Sequence, residues 1–398
     1  MSVNACSEAS PPQTPLPAEA GGGKLRIVHC FRSPVGGIFR HVRDLCDAQR
    51  AAGHDVGIIC DSTTGGDYEA SLIAALEPSL SLGVRRTPMQ RHIGIGDLTA
   101  ARRAYHVVRE MRPDVLHGHG AKGGVYARVF GTMMRMAGQR PARIYSPHGG
   151  SLHYAAETAT GRVFFAIERL MDRFTDHILF VSDYEKRTFE QKVGKPRAPF
   201  SLVYNGLTPA EFEPVRTVGN AADFLYIGMM RDLKGPDLFI DALALTRDLL
   251  GRDLTAVMVG DGAGLEGYRR QADELGFGER IRFLPAMPAR EAFGLARIMV
   301  VPSRAEAMPY IVLEALAAGR TLIATAVGGI PEVFGAGSPA LTEPDAGAIA
   351  GTMQRALDDE RAFHAIMPPP GELRARFGAD VMAKAIETVY RTSLPITR

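Results

Sequence analysis

Long apolar stretches are missing from this sequence of 398 residues, and aromatic residues are scarce at 7%. Nowhere do about 18 apolar residues run together, which excludes a membrane-spanning helix and leaves only peripheral attachment to a membrane. Because 46% of the residues are hydrophobic and 23% are charged, the composition is that of a soluble globular protein. At roughly 150 residues per domain, this length predicts two or three domains.

Cysteine is also sparse, and its spacing excludes two kinds of site. The four cysteines are Cys6, Cys30, Cys46 and Cys60, and no two of them form a CxxC pair. They indicate reduced, mostly buried thiols in a cytoplasmic protein, not a zinc site or a disulfide framework. Residues 1–23 have no basic start and no apolar stretch. We therefore expect them to form a disordered tail, not a signal peptide or a membrane anchor.

Positive and negative charges are nearly balanced, with 46 Lys and Arg residues against 44 Asp and Glu residues. This balance argues against a dedicated nucleic-acid-binding protein. The distribution is uneven, because residues 24–205 carry 26 basic and 17 acidic side chains, whereas residues 206–398 carry 20 and 25. A basic first half fits an anionic partner, such as a phospholipid surface or a phosphate-bearing substrate. Ordinary solvated charge explains the same counts equally well.

Short apolar runs alternate with helical stretches from Lys24 onward. The runs predict strands at 25–31, 56–60, 114–117, 142–146 and 177–181, and again at 224–227, 254–259, 281–284, 298–301 and 322–324. Predicted helices lie at 39–52, 98–111, 159–174, 236–246, 265–275 and 309–318. Such alternation is typical of parallel sheets covered by helices on both faces.

This pattern predicts an α/β protein with two doubly wound, Rossmann-like domains, at 24–205 and 206–371. A final helix at 372–398 is expected to pack back toward the first domain. In open parallel sheets, ligands bind in the crevice outside the carboxyl ends of the strands. Two such sheets that face each other therefore place the binding crevice between the domains.

Two carboxylates, Glu306 and Glu314, flank the start of a predicted helix in the second domain. Pro309 suits the first turn of that helix and Gly319 suits its C-terminal end. The open amides between the carboxylates form a natural anion site, and the carboxylates can accept hydrogen bonds from sugar and ribose hydroxyls. The alternative is that Glu306 is an ordinary acid at a helix start and Glu314 a surface residue.

A basic loop, GMMRDLKG, follows the first strand of the second domain. Its Arg231 and Lys234 are close together at the carboxyl end of a strand, between Gly228 and Gly235. Two such cations can neutralise a diphosphate. A solvated basic turn is the alternative.

Together, these motifs resemble the retaining glycosyltransferases of family 4, which have the two-domain GT-B architecture. The resemblance covers almost the whole chain from Lys24. It rests on GGIFRHV at 36–42, SPHGG at 146–150, FVSDYEK at 180–186, VYNGL at 203–207, GMMRDLKG at 228–235, VGDGAG at 259–264, the two glutamates and VGGIPE at 327–332. The family usually has Gly, an aromatic residue and then Gly or Pro after the first glutamate, whereas this chain has Ala307, Met308 and Pro309. This departure leaves the donor sugar open.

The resemblance implies a role for each matching residue. Arg231 and Lys234 would hold the donor diphosphate, Glu306 the transferred sugar and Glu314 the ribose, with His148 beside the reacting sugar. We therefore expect His148, Arg231, Lys234 and Glu306 to be catalytic. The implied donor-binding set is Gly36, Gly37, Gly228, Arg231, Lys234, Glu306, Met308, Pro309, Tyr310 and Glu314.

No metal or cofactor is expected, because the chain contains no DxD motif and the nucleotide sugar is itself a co-substrate. His117, His119 and His153 have weaker claims to a role than His148. The HGH segment at 117–119 is not interpreted as a metal triad, because no third ligand at suitable spacing is evident in the sequence.

The expected activity is retaining transfer of a sugar from a UDP or GDP sugar to a glycan or lipid-linked oligosaccharide, as in surface polysaccharide synthesis. The acceptor would dock on the first domain, where Arg85, Arg86, Arg102, Arg103, Arg109 and Arg112 favour peripheral contact with an anionic membrane. Alternatives on the same fold are a nucleotide-sugar 2-epimerase, a sugar phosphorylase and a non-catalytic nucleotide-sugar-binding protein. A dehydrogenase is disfavoured, because VGDGAG does not complete GxGxxG.

Overall fold

The computed structural model describes residues 23–89 and 95–395. Its strands are β1 Arg26–Phe31, β2 Asp55–Asp61, β3 Gly83–Thr87, β4 Val115–His119, β5 Ala142–Ser146, β6 His177–Phe180, β7 Phe200–Leu202, β8 Ala222–Ile227, β9 Ala256–Val259, β10 Ile281–Leu284, β11 Ala296–Val301, β12 Thr321–Thr325 and β13 Leu341–Thr342. They form a seven-stranded sheet, ordered β3-β2-β1-β4-β5-β6-β7, and a six-stranded sheet, ordered β10-β9-β8-β11-β12-β13. The two predicted Rossmann-like sheets are thus confirmed.

Helices cover both sheets. They are α1 Gly36–Ala51, α2 Asp67–Leu76, α3 Ile95–Glu110, α4 Gly120–Met136, α5 Ala159–Asp172, α6 Asp183–Lys192, α7 Pro236–Leu250, α8 Leu265–Glu274, α9 Ala289–Ala292, α10 Tyr310–Ala317, α11 Ile330–Phe334, α12 Ala346–Asp358, α13 Glu360–Ala365, α14 Pro370–Phe377 and α15 Ala379–Ser393. Every described strand pair is parallel; Ile27, for example, pairs with Val56 on one side and Val115 on the other. Because the central strands are covered on both faces, most of their residues are apolar.

Three strands escaped the sequence prediction because they lie at sheet edges or are very short. Strand β3 is an edge strand with exposed Arg85 and Arg86, and β13 has only two residues. Edge strands are often short and charged, so they lack the apolar signature of central strands. Strand β7, at the opposite edge, has no fully buried residue.

Helix α4 also escaped prediction, because its first turns, GAKGG, are poor in helix-forming residues. Close packing explains these glycines. A Cβ atom on Gly123 would lie 2.2 Å from the backbone oxygen of Cys30, and one on Gly124 would lie 2.3 Å from the Tyr145 ring. Only glycine lets the helix approach the first sheet this closely.

The last helix is divided in two, since α14 and α15 meet at Gly378, which has an extended backbone. Met382, Ile386 and Tyr390 of α15 share a buried cluster with Leu25 and Ile144 of the first domain. The end of the chain therefore crosses back from the second domain and packs on the first sheet.

Cys30, Cys46 and Cys60 are buried free thiols, and burial raises the pKa of each. Cys6 and, apart from Gly23, the predicted tail lie outside the described residues. No helix in the described part of the chain is long and apolar enough to span a bilayer.

Candidate active site

A cleft of about 860 Å³ separates the two domains. It lies at the carboxyl ends of strands from both sheets, where doubly wound folds bind their ligands. The structure brings every residue of the predicted site to this cleft: Gly36, Gly37, His148, Gly228, Arg231, Lys234, Glu306, Met308, Pro309, Tyr310 and Glu314.

An ion pair lies on the second-domain side of the cleft. Lys234 Nζ is 2.6 Å from Glu306 Oε1, and Ser303 Oγ donates a 2.7 Å hydrogen bond to the same oxygen. Glu306 is 8% exposed, and the Lys234 side chain is 23% exposed. The pair is therefore held in place while its lysine still reaches the cleft.

Arg231 lines the same cleft and is exposed. No described residue forms a hydrogen bond or an ion pair with its side chain, which leaves all five guanidinium donors free for a ligand. Together with Lys234, it makes this end of the cleft positive.

Two helix N-termini open onto the cleft. Helix α10 begins at Tyr310, one residue later than predicted, with Pro309 as an extended residue that gives no side-chain cap. Helix α1 begins at Gly36, and Val35 before it also supplies no cap. First-turn amides without a side-chain cap are available to an anion, and the helix dipole favours negative charge there.

Glycines fix the backbone around Glu306. Gly328 has φ 62°, and a Cβ atom on it would lie only 1.8 Å from the Glu306 backbone oxygen. Gly329 donates a 2.9 Å hydrogen bond to the backbone oxygen of Ala307. The VGGIPE loop therefore supports Glu306 directly from behind.

Two of the predicted donor-binding residues are largely buried. Met308 is 5% exposed, and its backbone oxygen accepts a 2.8 Å hydrogen bond from the Asn205 amide. Tyr310 is 7% exposed, and its hydroxyl lies 3.4 Å from His41 Nδ1. Both residues therefore join the domains across the cleft as well as lining it.

Arg40 of α1 connects the domains at the other end of the cleft. Its guanidinium donates to Glu314 at 2.8 Å, to Asp44 at 2.7 Å and to Glu211. Burial raises the pKa of Glu314 to about 7 and that of Asp44 to about 6, and Arg40 opposes both shifts. The cluster has three carboxyl groups and only one guanidinium. The raised pKa values of Glu314 and Asp44 therefore indicate that these two carboxyl groups bind a proton more readily than an exposed carboxylate does.

Sequence reasoning missed Arg40 and Glu211 as site residues. Arg40 lies inside GGIFRHV, the motif that supplied Gly36 and Gly37, so its position was a usable signal. Glu211 lies in the connection between the sheets, where nothing in its neighbours indicates a partner 171 residues away.

Five histidines cluster on the first-domain side: His29, His41, His117, His119 and His148. Nitrogens of His29, His117 and His119, and likewise of His41, His119 and His148, lie within 4.8 Å of one another. The sequence shows no third ligand at suitable spacing for the HGH segment, but the fold brings His29 to His117 and His119. In the first triad, His29 of β1 joins both rings of the HGH segment on the neighbouring strand β4. In the second triad, His119 meets His41 of α1 and His148 of the loop after β5. Each triad could hold a metal ion, and neutral imidazole is a common metal ligand.

His148 has an unusual backbone, with φ 51° in the left-handed region. The buried carboxylate of Glu185 accepts hydrogen bonds from the Gly149 amide and, at 2.9 Å, from the Val181 amide, which holds this loop in place. Burial raises the pKa of Glu185 to about 7. Burial and, to a lesser extent, His41 lower the pKa of His148 well below its usual value, so its ring is neutral at pH 7.

Family models match both halves of the chain. The model described as Glycosyltransferase Family 4 matches residues 35–211, and Glycosyl transferases group 1 matches residues 208–380. A D-inositol 3-phosphate glycosyltransferase of Streptomyces avermitilis is 27% identical over 92% of this chain and 84% of its own length. A glycogen synthase of Mycobacterium tuberculosis is 25% identical over 82% of this chain and 84% of its own length.

Solved structures with the same fold include HepE of Anabaena in complex with UDP and glucose. Its TM-score is 0.74 at 17% identity, covering 92% of this chain and 100% of that one. WaaG, a glycosyltransferase involved in lipopolysaccharide biosynthesis, has a TM-score of 0.66 at 17% identity, covering 92% of this chain and 98% of that one. With two parallel-sheet domains, a shared cleft and family models matching nearly the whole chain, this protein belongs to the family 4 glycosyltransferases of the GT-B fold.

Proposed function

We propose that this glycosyltransferase transfers a sugar, with retention of anomeric configuration, from a nucleotide-sugar donor to a glycan or lipid-linked oligosaccharide. The observation that carries the proposal is the partly buried Lys234–Glu306 pair beside Arg231, whose side chain has no described partner. A nucleotide sugar has an anionic diphosphate next to a neutral, hydroxyl-rich ring. In the cleft, the cations Arg231 and Lys234 lie next to the Glu306 carboxylate. The diphosphate would face the cations, and the sugar hydroxyls would face the carboxylate.

In the proposed reaction, the bond between the anomeric carbon and the diphosphate oxygen breaks while an acceptor oxygen bonds the same carbon. Negative charge then develops on the departing diphosphate, where Arg231, Lys234 and the α10 amides would stabilise it. Glu306 would accept hydrogen bonds from the sugar hydroxyls. For retention, the acceptor attacks from the face that the diphosphate leaves, and its proton passes to a diphosphate oxygen.

Cations of the protein would take the part that a bridging metal has in enzymes with a DxD motif, a motif that this chain lacks. UDP or GDP sugars are the proposed donors. HepE, which shares the fold, was solved with UDP and glucose, and a cleft of about 860 Å³ falls in the range of about 300–1,000 Å³ typical of small-molecule sites.

We further propose that the acceptor reaches the first domain at the cytoplasmic face of a membrane, during surface or exopolysaccharide synthesis. The proposal is supported by exposed basic residues on α3 and β3, including Arg85, Arg102, Arg103 and Arg109. Basic side chains near an anionic bilayer contribute about 1 kcal/mol each. In a liposome flotation assay, binding should increase with anionic lipid content, and flotation independent of that content would remove the membrane proposal.

The experiment that tests the activity is incubation with UDP, GDP and ADP sugars, with and without an oligosaccharide acceptor. A transferase releases the nucleoside diphosphate, slowly to water and faster to an acceptor. Release of an altered nucleotide sugar without acceptor would show an epimerase, and dependence on inorganic phosphate would show a phosphorylase. Binding without turnover of any donor would contradict the proposal.

A further inference from the structure

Three imidazole rings form a hydrogen-bonded chain from the interior of the first domain to the cleft. His29 Nδ1 lies 3.0 Å from His119 Nε2, and His119 Nδ1 lies 3.1 Å from His148 Nε2. At the inner end, Gln49 Oε1 lies 2.9 Å from His29 Nε2. Gln49, His29 and His119 are at most 5% exposed, and of the four residues only His148 lines the cleft.

A neutral imidazole has one nitrogen that donates a hydrogen bond and one that accepts. The tautomer of each ring therefore determines that of the next ring, and only two arrangements satisfy all three hydrogen bonds. Burial lowers the pKa of His29 to about 4 and those of His119 and His148 well below their usual value. The contacts themselves require neutral rings at the two inner positions, because His29 and His119 must each accept a hydrogen bond at one nitrogen in either arrangement, and burial acts in the same direction.

Gln49 selects between the two arrangements. Its side-chain nitrogen donates to the Tyr390 hydroxyl at 3.3 Å, and that hydroxyl can in turn donate to His117 Nδ1 at 2.7 Å. The Gln49 oxygen then faces His29. The oxygen can only accept, so His29 carries its proton on Nε2. His29 Nδ1 then accepts from His119, and His119 Nδ1 accepts from His148. His148 is left with a proton on Nε2, and no described residue forms a hydrogen bond with its Nδ1.

We propose that Gln49, acting through His29 and His119, holds His148 in the Nε2–H tautomer, so that Nδ1 offers the cleft a hydrogen-bond acceptor. The tautomer of His148 follows from the hydrogen bonds alone. Only the ligand of Nδ1, which would be a hydroxyl of the transferred sugar, rests on the proposed function. Gln49, His29 and His119 are positioning residues, because they act on His148 and do not line the cleft.

The hydrogen-bonded chain of rings orients His148 and does not carry protons away from it. A proton arriving at Nδ1 could pass along the rings only if the inner end accepted one, and the Gln49 amide is too weak a base to do so. The fixed tautomer instead makes His148 selective for substrates that place a hydrogen-bond donor at Nδ1. A buried acceptor left without a partner costs about 1–3 kcal/mol, so a substrate that lacks the matching hydroxyl is disfavoured.

The test is a long-range ¹H–¹⁵N spectrum of the full-length protein labelled with ¹⁵N-histidine, recorded without substrate. The signal of His148 is assigned by its loss in His148→Asn. We expect pure Nε2–H in the wild type and a mixture of both tautomers in Gln49→Leu, which removes the acceptor. Ser201→Ala is the matched control, because Ser201 Oγ bonds His177 Nε2 at 2.9 Å in the same domain, and no hydrogen bond among the described residues links that pair to the three rings. Its His148 spectrum should match the wild type.

His29→Met breaks the series of hydrogen bonds at a second position and should give the same mixture of tautomers. The inference can therefore be tested even if one of the two variants does not fold. An unchanged His148 tautomer in either folded variant would overturn the inference. So would stoichiometric Zn²⁺ binding that shifts His148 Nε2 in the free wild type, since the rings would then be metal ligands. Because no substrate is present, failure of this test leaves the transferase proposal intact.

Kinetics provides a second readout for comparison with the spectrum. Gln49→Leu should lower kcat/KM by about tenfold, the effect of roughly one net hydrogen bond. For a donor that lacks the hydroxyl facing His148, wild type and Gln49→Leu should differ little. An equal loss with both donors would show a purely structural role for Gln49.

Discussion

Arg40 of the first domain and Glu314 of the second are joined by a 2.8 Å ion pair across the cleft. The same guanidinium also holds Asp44 and Glu211. Glu314 is the carboxylate proposed to hold the donor ribose, and only its Oε1 is engaged by Arg40. The residue that would bind the nucleotide is thus also a link between the two domains.

Replacing Arg40 with methionine should destabilise the protein strongly. The variant leaves three mostly buried carboxylates without their shared cation, and breaking such a cluster costs about 3–5 kcal/mol. Urea unfolding followed by circular dichroism measures the loss. Arg50→Met is the control, because Arg50 lies on the same helix in an exposed pair with Asp47 and should change the unfolding free energy by about 0.5 kcal/mol or less. Equal losses in the two variants would contradict the assignment.

The unfolding free energy should depend on pH through Glu314. Its pKa is raised from 4.5 to about 7 in the folded protein, so the folded state binds the proton more tightly than the unfolded chain. This stabilising contribution is complete below about pH 4.5 and is lost as the pH rises through 7. Between about pH 5 and 8, the wild type should therefore lose more stability than Glu314→Gln in urea titrations. Parallel curves would show that Glu314 does not titrate in this range.

Substitution of Gly328 should disturb Glu306. Gly328→Ala places a Cβ atom 1.8 Å from the Glu306 backbone oxygen, whereas Gly251→Ala, with nearly the same φ of 61°, meets nothing within 4 Å. Both variants carry the left-handed backbone penalty of about 1–2 kcal/mol. Only Gly328→Ala must also move Glu306, so donor turnover per folded molecule should fall at least tenfold in that variant alone. Equal activity in the two variants would show that the loop does not support Glu306.

The sequence was sufficient to predict the two sheets and eleven of the residues that line the cleft. Central strands are mostly apolar, and the motifs at their carboxyl ends are local in sequence. Edge strands such as β3 and the glycine-rich start of α4 were missed, because their conformations depend on packing and not on local preference.

Long-range partners were missed for the same reason. The histidine cluster joins His29 of β1, His117 of β4 and His148 of the loop after β5. Arg40 reaches Glu314 over 274 residues of sequence. Nothing in a local window indicates either contact. Both follow only once parallel strands bring their ends to one edge and the domains face each other.

Donor turnover by Lys234→Ala tests most directly whether protein cations stabilise the departing diphosphate. We expect a reduction of about a hundredfold or more, the usual effect of removing one charge-stabilising group. Lys384→Ala, an exposed substitution on α15, should retain full activity. Wild-type turnover in a folded Lys234→Ala protein would contradict the proposed mechanism.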